Sequence, residues 1–188
     1  QFLRDLDHYE TQGKLITKFS LQLLVLTFLR PSEVWLASWD EFDLNKRLWR
    51  IPAHKMKMKT EHLVPLSNQA IALLKNIQKI TGKTGLLFPS HIAKKPISDN
   101  TMRLAMFKMG YDGNTLGKSR ATPHGFRANA SSILNEQGFN PDAIERQLSH
   151  IERNGVRAAY IHHARFLDDR IEIMQWWADY LDEAKAKV

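Results

Sequence analysis

The chain has 188 residues, 43% of them hydrophobic, with a formal charge of +7 and no cysteine. That is enough apolar material for a real core, and length alone indicates one domain. The missing cysteines exclude a disulfide scaffold, thiol catalysis and a zinc ribbon, while the excess of cations points toward polyanionic partners.

Residues 1–13 are rich in charge and poor in periodicity, and read as a linker or the remnant of a preceding segment; 14–188 read as one domain. The chain opens at Gln1 with no initiator methionine, as an excised fragment would. The apolar run 21–29 is broken by Gln22 and is too short for a membrane span, and no secretory signal begins the chain, so a cytoplasmic protein is expected.

Residues 15–29 are apolar on most faces, with Ile16, Phe19, Leu23, Leu24 and Phe28 at helical spacing, and predict a core helix. Pro31 suits the first position of a following helix, which leaves Arg30 at the junction with Glu33 able to pair with it. Short β-type runs follow at 39–44, 48–52 and 62–66, forming a small antiparallel sheet whose second connection carries Lys55, Lys57 and Lys59.

The remainder predicts helices. Ser67 caps one over 68–80 that ends at Gly82, and Ser98 caps another over 99–109 that stops at Gly110. Pro123 starts a third that runs to Glu136, and Pro141 starts a fourth that ends near Ser149. Between 166 and 181, Leu167, Ile171, Met174, Trp177 and Leu181 form one apolar stripe, widened by Phe166, Ile173, Trp176 and Tyr180. Such a surface has to be buried, on its own domain or on a neighbouring subunit. The fold class is therefore mainly α with a small antiparallel β-sheet.

Arg30, Lys57, His124, Arg127, His150 and Tyr160 each fall at a turn or element end, and their chemistry is that of phosphodiester cleavage. Two arginines can grip nonbridging phosphate oxygens, histidines can donate or shuttle protons, a lysine can protonate a leaving oxygen and a tyrosine can attack phosphorus. Taken singly each has an ordinary alternative: Arg30 as a helix-end cation, Lys57 as part of a solvated hairpin, His150 as a helix cap and Tyr160 as a core residue. His124 and Arg127, three apart at a helix start, can face one side of its first turn, where free amides favour a phosphate.

The order and contexts of these residues resemble the tyrosine recombinase, or phage-type integrase, family, especially its prophage and genomic-island members. The likeness rests on Leu29-Arg30-Pro31-Ser32-Glu33, His124-Gly125-Phe126-Arg127, Leu148-Ser149-His150 and Asn154-Gly155-Val156-Arg157-Ala158-Ala159-Tyr160, and covers about 14–187. It implies that Tyr160 is the nucleophile and that the active-site lysine lies on the hairpin before Val64-Pro65-Leu66, with Lys57 in the matching register and Lys55 and Lys59 as substitutes. The serine of Leu148-Ser149-His150 stands where the family most often has another small residue.

What the resemblance further implies is site-specific recombination of double-stranded DNA attachment sites through a 3′-phosphotyrosine link, needing no cofactor and no metal. Assembly as a tetramer on DNA is expected, with a monomer for the isolated fragment and accessory bending or directionality factors as possible partners. Core-binding and arm-binding domains would precede this segment. The competing readings are a type IB topoisomerase-like enzyme and a catalytically inactive DNA-binding relative. Lys94, Lys95, Arg103, Lys118 and Arg120 are the candidate phosphate contacts outside the centre. The pair His162-His163 diverges by about 100° on a helix and lacks carboxylate partners, which argues against a metal site.

Overall fold

The computed structural model describes residues 1–91, 95–150 and 166–187. Residues 1–13, expected as a linker, instead form helix α1 (Phe2–Asp7) and a 3-10 turn (Tyr9–Thr11) that pack on the body. Phe2, Leu6 and Tyr9 are spaced four and three apart, so the charge-rich stretch hides one apolar face, and Leu6 and Tyr9 are buried. Polar ties complete the docking: Tyr111 Oη and Lys118 Nζ donate to Asp5 at 2.8 and 2.6 Å, and Lys185 pairs with Asp7 at 2.8 Å.

Helix α2 (Leu15–Thr27) is the central element, with Leu21, Leu23, Leu24 and Val25 all buried. It stops two residues before the expected end because Phe28 turns into the left-handed region (φ 41°) while its amide still bonds Leu24 O at 2.8 Å. Left-handed backbone is unfavourable for a bulky residue. Complete burial of Phe28 and an edge contact with Trp177, centroids 5.8 Å apart, hold it there. Helix α3 (Pro31–Trp35) follows with Pro31 at its first position and Arg30 as its extended N-cap.

The run at 39–44 is only partly strand. Residues Trp39–Glu41 form a 3-10 turn that buries both Trp39 and Glu41, and β1 is reduced to Phe42–Asp43. Glu41 draws the chain inward by accepting from Trp49 Nε1 at 2.8 Å and from Lys55 Nζ. Strands β2 (Leu48–Ile51) and β3 (His62–Pro65) complete an antiparallel sheet in the order β1-β2-β3, with Trp49 opposite Phe42 on one side and Val64 on the other.

Helix α4 (Asn68–Thr81) is capped by Ser67, which accepts from Ala70 N at 3.2 Å, and ends at Gly82. Helix α5 (Thr101–Lys108) begins two residues later than predicted, since Ser98 O accepts from Thr101 N and Asn100 takes the cap position. Helix α6 (Gly125–Glu136) likewise begins after Pro123, because Thr122 closes a turn on Gly125 N at 3.1 Å and leaves His124 as N-cap. Helix α7 (Pro141–Gln147) is capped by Asn140.

Helix α8 (Leu167–Ala186) decides the question its apolar stripe posed: it folds back on its own domain. Ile173, Met174, Trp177 and Ala178 are buried, and Trp177 Nε1 donates to Val25 O at 2.9 Å. Ile171, expected in the stripe, is 50% exposed, because the buried face is rotated toward Arg170 and Ile173. Among the described residues no helix is long and apolar enough to cross a membrane.

Candidate active site

Three of the predicted residues converge on the turn that follows α7. Its ending is a Schellman motif: His150 N bonds Glu145 O at 3.0 Å and Ser149 N bonds Arg146 O at 3.1 Å. That motif requires a left-handed residue, and Ser149 supplies it at φ 49° without being glycine. Its carbonyl and hydroxyl thereby face Arg30. Arg30 Nη1 donates to Ser149 Oγ at 2.5 Å and Nη2 to Ser149 O at 3.4 Å. From the other side Glu33, almost fully buried, accepts from Arg30 Nη1 and from the Arg30 amide, each at 2.9 Å.

Arg127 is held by the same turn. It lies buried in the first turn of α6 and donates from Nη2 to Leu148 O at 2.7 Å and from Nη1 to Phe28 O at 2.9 Å. Burial, reinforced by the neighbouring Arg30 charge, lowers its pKa to about 10, which still leaves it a cation at neutral pH. Arg127 Nη2 lies 3.4 Å from His150 Nε2, and His150 Nδ1 lies 2.8 Å from Glu145 Oε2. A carboxylate can only accept, so the Nδ1 of His150 carries the proton of its contact with Glu145.

Phe28 and Ser149, two of the non-glycine residues with positive φ, thus each supply a carbonyl to an arginine fork, alongside that of Leu148. Strained backbone kept beside a cluster of cations marks a place where geometry is held against local preference. Two like charges are thus brought together at the starts of α3 and α6, with Glu33 paired to Arg30 and Glu145 beside His150.

The other candidates fall differently. His124 is exposed at the start of α6, three residues before Arg127, with no hydrogen bond to another described side chain. Lys57 is exposed in the turn between β2 and β3, and Lys59, two residues on, has φ 54°. Lys55 is already committed, with its ammonium on Leu36 O at 2.7 Å, Ser38 Oγ at 3.2 Å and Glu41, so it is a poor substitute for Lys57. Tyr160, Lys94, His162 and His163 lie outside the described residues.

Among the proposed phosphate contacts, Lys95, Arg103 and Arg120 are exposed, with Arg103 bound to Asn100 at 2.6 Å and lying over the Phe107 ring. Lys118 is a correction in part: its ammonium is consumed by Asp5 and Met109 O and lies over the Tyr111 ring, so it anchors α1. A cleft of about 380 Å³ opens between α1, α2, α4 and α8, lined by Leu6, Phe19, Leu26, Leu73 and Leu181, and none of the candidate residues lines it.

Residues 2–165 match the phage integrase family. The chain belongs to that family. It is 49% identical to the integrase of Enterobacteria phage P4, over 100% of this chain and 44% of that protein, and 41% identical to the prophage integrase IntA of Escherichia coli K12, over 88% and 38%. The chain therefore spans about half the length or less of these curated relatives. The fold is shared with the integrase from mycobacterium phage Brujita, with a TM-score of 0.65 at 16% identity, covering 91% of this chain and 55% of that one.

Two further side chains of this cluster were not among the candidates read from the sequence. Glu145 orients His150, and the Ser149 hydroxyl engages Arg30. Glu145 stands five residues before His150, a spacing that is meaningful only once the helix is known to end in a Schellman turn.

Proposed function

We propose that this domain breaks and rejoins DNA strands in site-specific recombination, integrating or excising a mobile element. The observation that carries the proposal is the convergence of Arg30, Arg127 and His150 on the Leu148–His150 turn. Attack on a phosphodiester develops negative charge on the nonbridging oxygens, and preorganised cationic donors stabilise that charge before any reorganisation is needed. The anchoring bonds leave each guanidinium fixed in orientation by backbone and carboxylate acceptors.

In this reading the Tyr160 oxygen bonds to phosphorus as the bond to the 5′ oxygen breaks, and the Tyr160 proton passes to a base. The leaving 5′ oxygen takes a proton from Lys57, and His124 and His150 donate or relay protons around the phosphoryl group. The covalent 3′-phosphotyrosine keeps the bond energy, so a 5′ hydroxyl from another strand reverses the step and joins new partners. Attachment-site duplexes are the substrate. Lys95, Arg103 and Arg120 are proposed to hold flanking phosphates, together with Lys94, and the working assembly is a tetramer on DNA.

The arginines supply the charge that two-metal nucleases take from divalent ions, so the reaction needs none. The test is a nicked duplex carrying the boundary sequence of the element that encodes the protein. A protein-DNA adduct stable to denaturant should form at the same rate with and without excess EDTA. Activity lost to EDTA and restored by a divalent ion would overturn the mechanism.

A further inference from the structure

A second polar node lies directly beneath the arginine centre, and nothing in the proposed chemistry uses it. Arg170, in the first turn of α8, is 1% exposed. Its Nε and Nη2 both donate to Gln147 Oε1, at 3.0 and 2.8 Å, and Nη2 also donates to Leu63 O. His62 adds a further bond to the same turn: its Nε2 lies 3.1 Å from Gln147 O, and since a carbonyl can only accept, Nε2 carries the proton. Burial and the nearby Arg170 charge push the His62 pKa down to about 3, so this ring is neutral.

Gln147 is the last residue of α7, immediately before Leu148, Ser149 and His150. Its amide is fully buried and its Nε2 finds no hydrogen-bond partner among the described residues. A primary amide normally turns to satisfy both ends; here the orientation is the one that serves Arg170 and leaves the nitrogen without a partner. Three elements meet at this node: α8, the C-terminal end of α7, and β3, whose first residue His62 lies five residues after Lys57. Each leads into a segment that carries a proposed reacting group.

We propose that Arg170, acting through Gln147, is a positioning residue that sets the Leu148–His150 turn and so the placement of Arg30, Arg127 and His150. The proposal rests on the functional reading above. The guanidinium is the only common side chain that spans Leu63 O and Gln147 Oε1 with several donors from one rigid plane. A lysine there reaches fewer acceptors from a single point, and a glutamate at 147 offers a second oxygen where the amide nitrogen is unpartnered.

The test compares the full chain with Arg170→Lys and Gln147→Glu, using inorganic phosphate as probe and the ring ¹⁵N resonances of His150 as reporter, with amide exchange and melting temperature measured alongside. Arg170→Lys should bind phosphate about tenfold more weakly and exchange the Ser149 and His150 amides about tenfold faster, a coupling of the size seen between residues in one network. Gln147→Glu should stay within about twofold of wild type on the same scale. Wild-type binding and exchange in Arg170→Lys would overturn the proposal, as would losses that merely track melting temperature in both variants. If phosphate fails to shift His150 in the wild type, the functional reading fails separately, and the exchange of Ser149 and His150 without phosphate still decides the node.

Discussion

Ser149 shows how one residue can serve two demands that oppose each other. As the left-handed position of a Schellman turn it favours glycine, yet its hydroxyl holds Arg30 at 2.5 Å. Replacing it by alanine removes the hydroxyl and keeps the strain, whereas glycine removes both. Ser149→Gly should therefore be more stable than Ser149→Ala by about 1 kcal/mol in denaturant melts, while both lose the same Arg30 contact and cleave more slowly than wild type. Equal stabilities would mean that the turn is not strained at this position. The tripeptide Leu148-Ser149-His150 was recognisable in the sequence; the φ of its middle residue was not, because a serine carries no mark of left-handed backbone. Glu33 was legible as a partner for Arg30 since both lie on one helical turn, whereas Glu145 depended on a helix ending that no residue type announced.

At the scale of elements, the helices were legible wherever a cap or a stop residue coincided with an apolar face. Ser67 and Gly82 bound α4, and Asn140 and Pro141 open α7. Starts slipped by two residues at α5 and α6, where Ser98 and Thr122 make turns of their own before the helix begins. The first run of the sheet shortened because Glu41 turns inward to Trp49 and Lys55, a buried charge that alternation of polar and apolar residues does not forecast. Outcomes at two places, α8 and His62, follow from the packing seen. Trp177→Ala on α8 should cost about 3 to 5 kcal/mol of unfolding free energy, since a buried indole and its bond to Val25 O are lost. Removal of everything after Phe166 should accordingly unfold the domain rather than spare it; a folded truncated protein would contradict the docking of α8. The second outcome concerns His62, whose folded pKa of about 3 lies below the ~6.5 of an exposed imidazole. The unfolded chain then binds more protons, so the contribution of this group is complete above about pH 6.5 and falls by up to about 1.4 kcal/mol per unit as the pH drops toward 3. His62→Gln keeps a donor for Gln147 O and does not titrate. Its unfolding free energy should fall less steeply than that of the wild type between pH 6 and 4; parallel curves would place His62 in contact with water.

For the whole molecule, the family, the mainly helical fold and the small antiparallel sheet could all be read from the chain, and the packing of residues 1–13 and of α8 could not. Both segments are amphipathic and terminal, and such faces specify that they must be covered without specifying by what. The site follows the same division. Residue types and their order suggested a phosphodiester chemistry, while the backbone carbonyls of Phe28, Leu148 and Ser149 that fix the two arginines are invisible to any reading of side chains. The proposed mechanism requires Tyr160 to be the group that takes the phosphate held by those arginines. Incubation of wild type and Tyr160→Phe with the nicked duplex, followed by denaturation and peptide mapping, measures this directly. The account predicts a DNA-linked peptide containing Tyr160 in the wild type and no adduct in the variant, with DNA binding and melting temperature retained. A denaturant-stable adduct formed by Tyr160→Phe would contradict it.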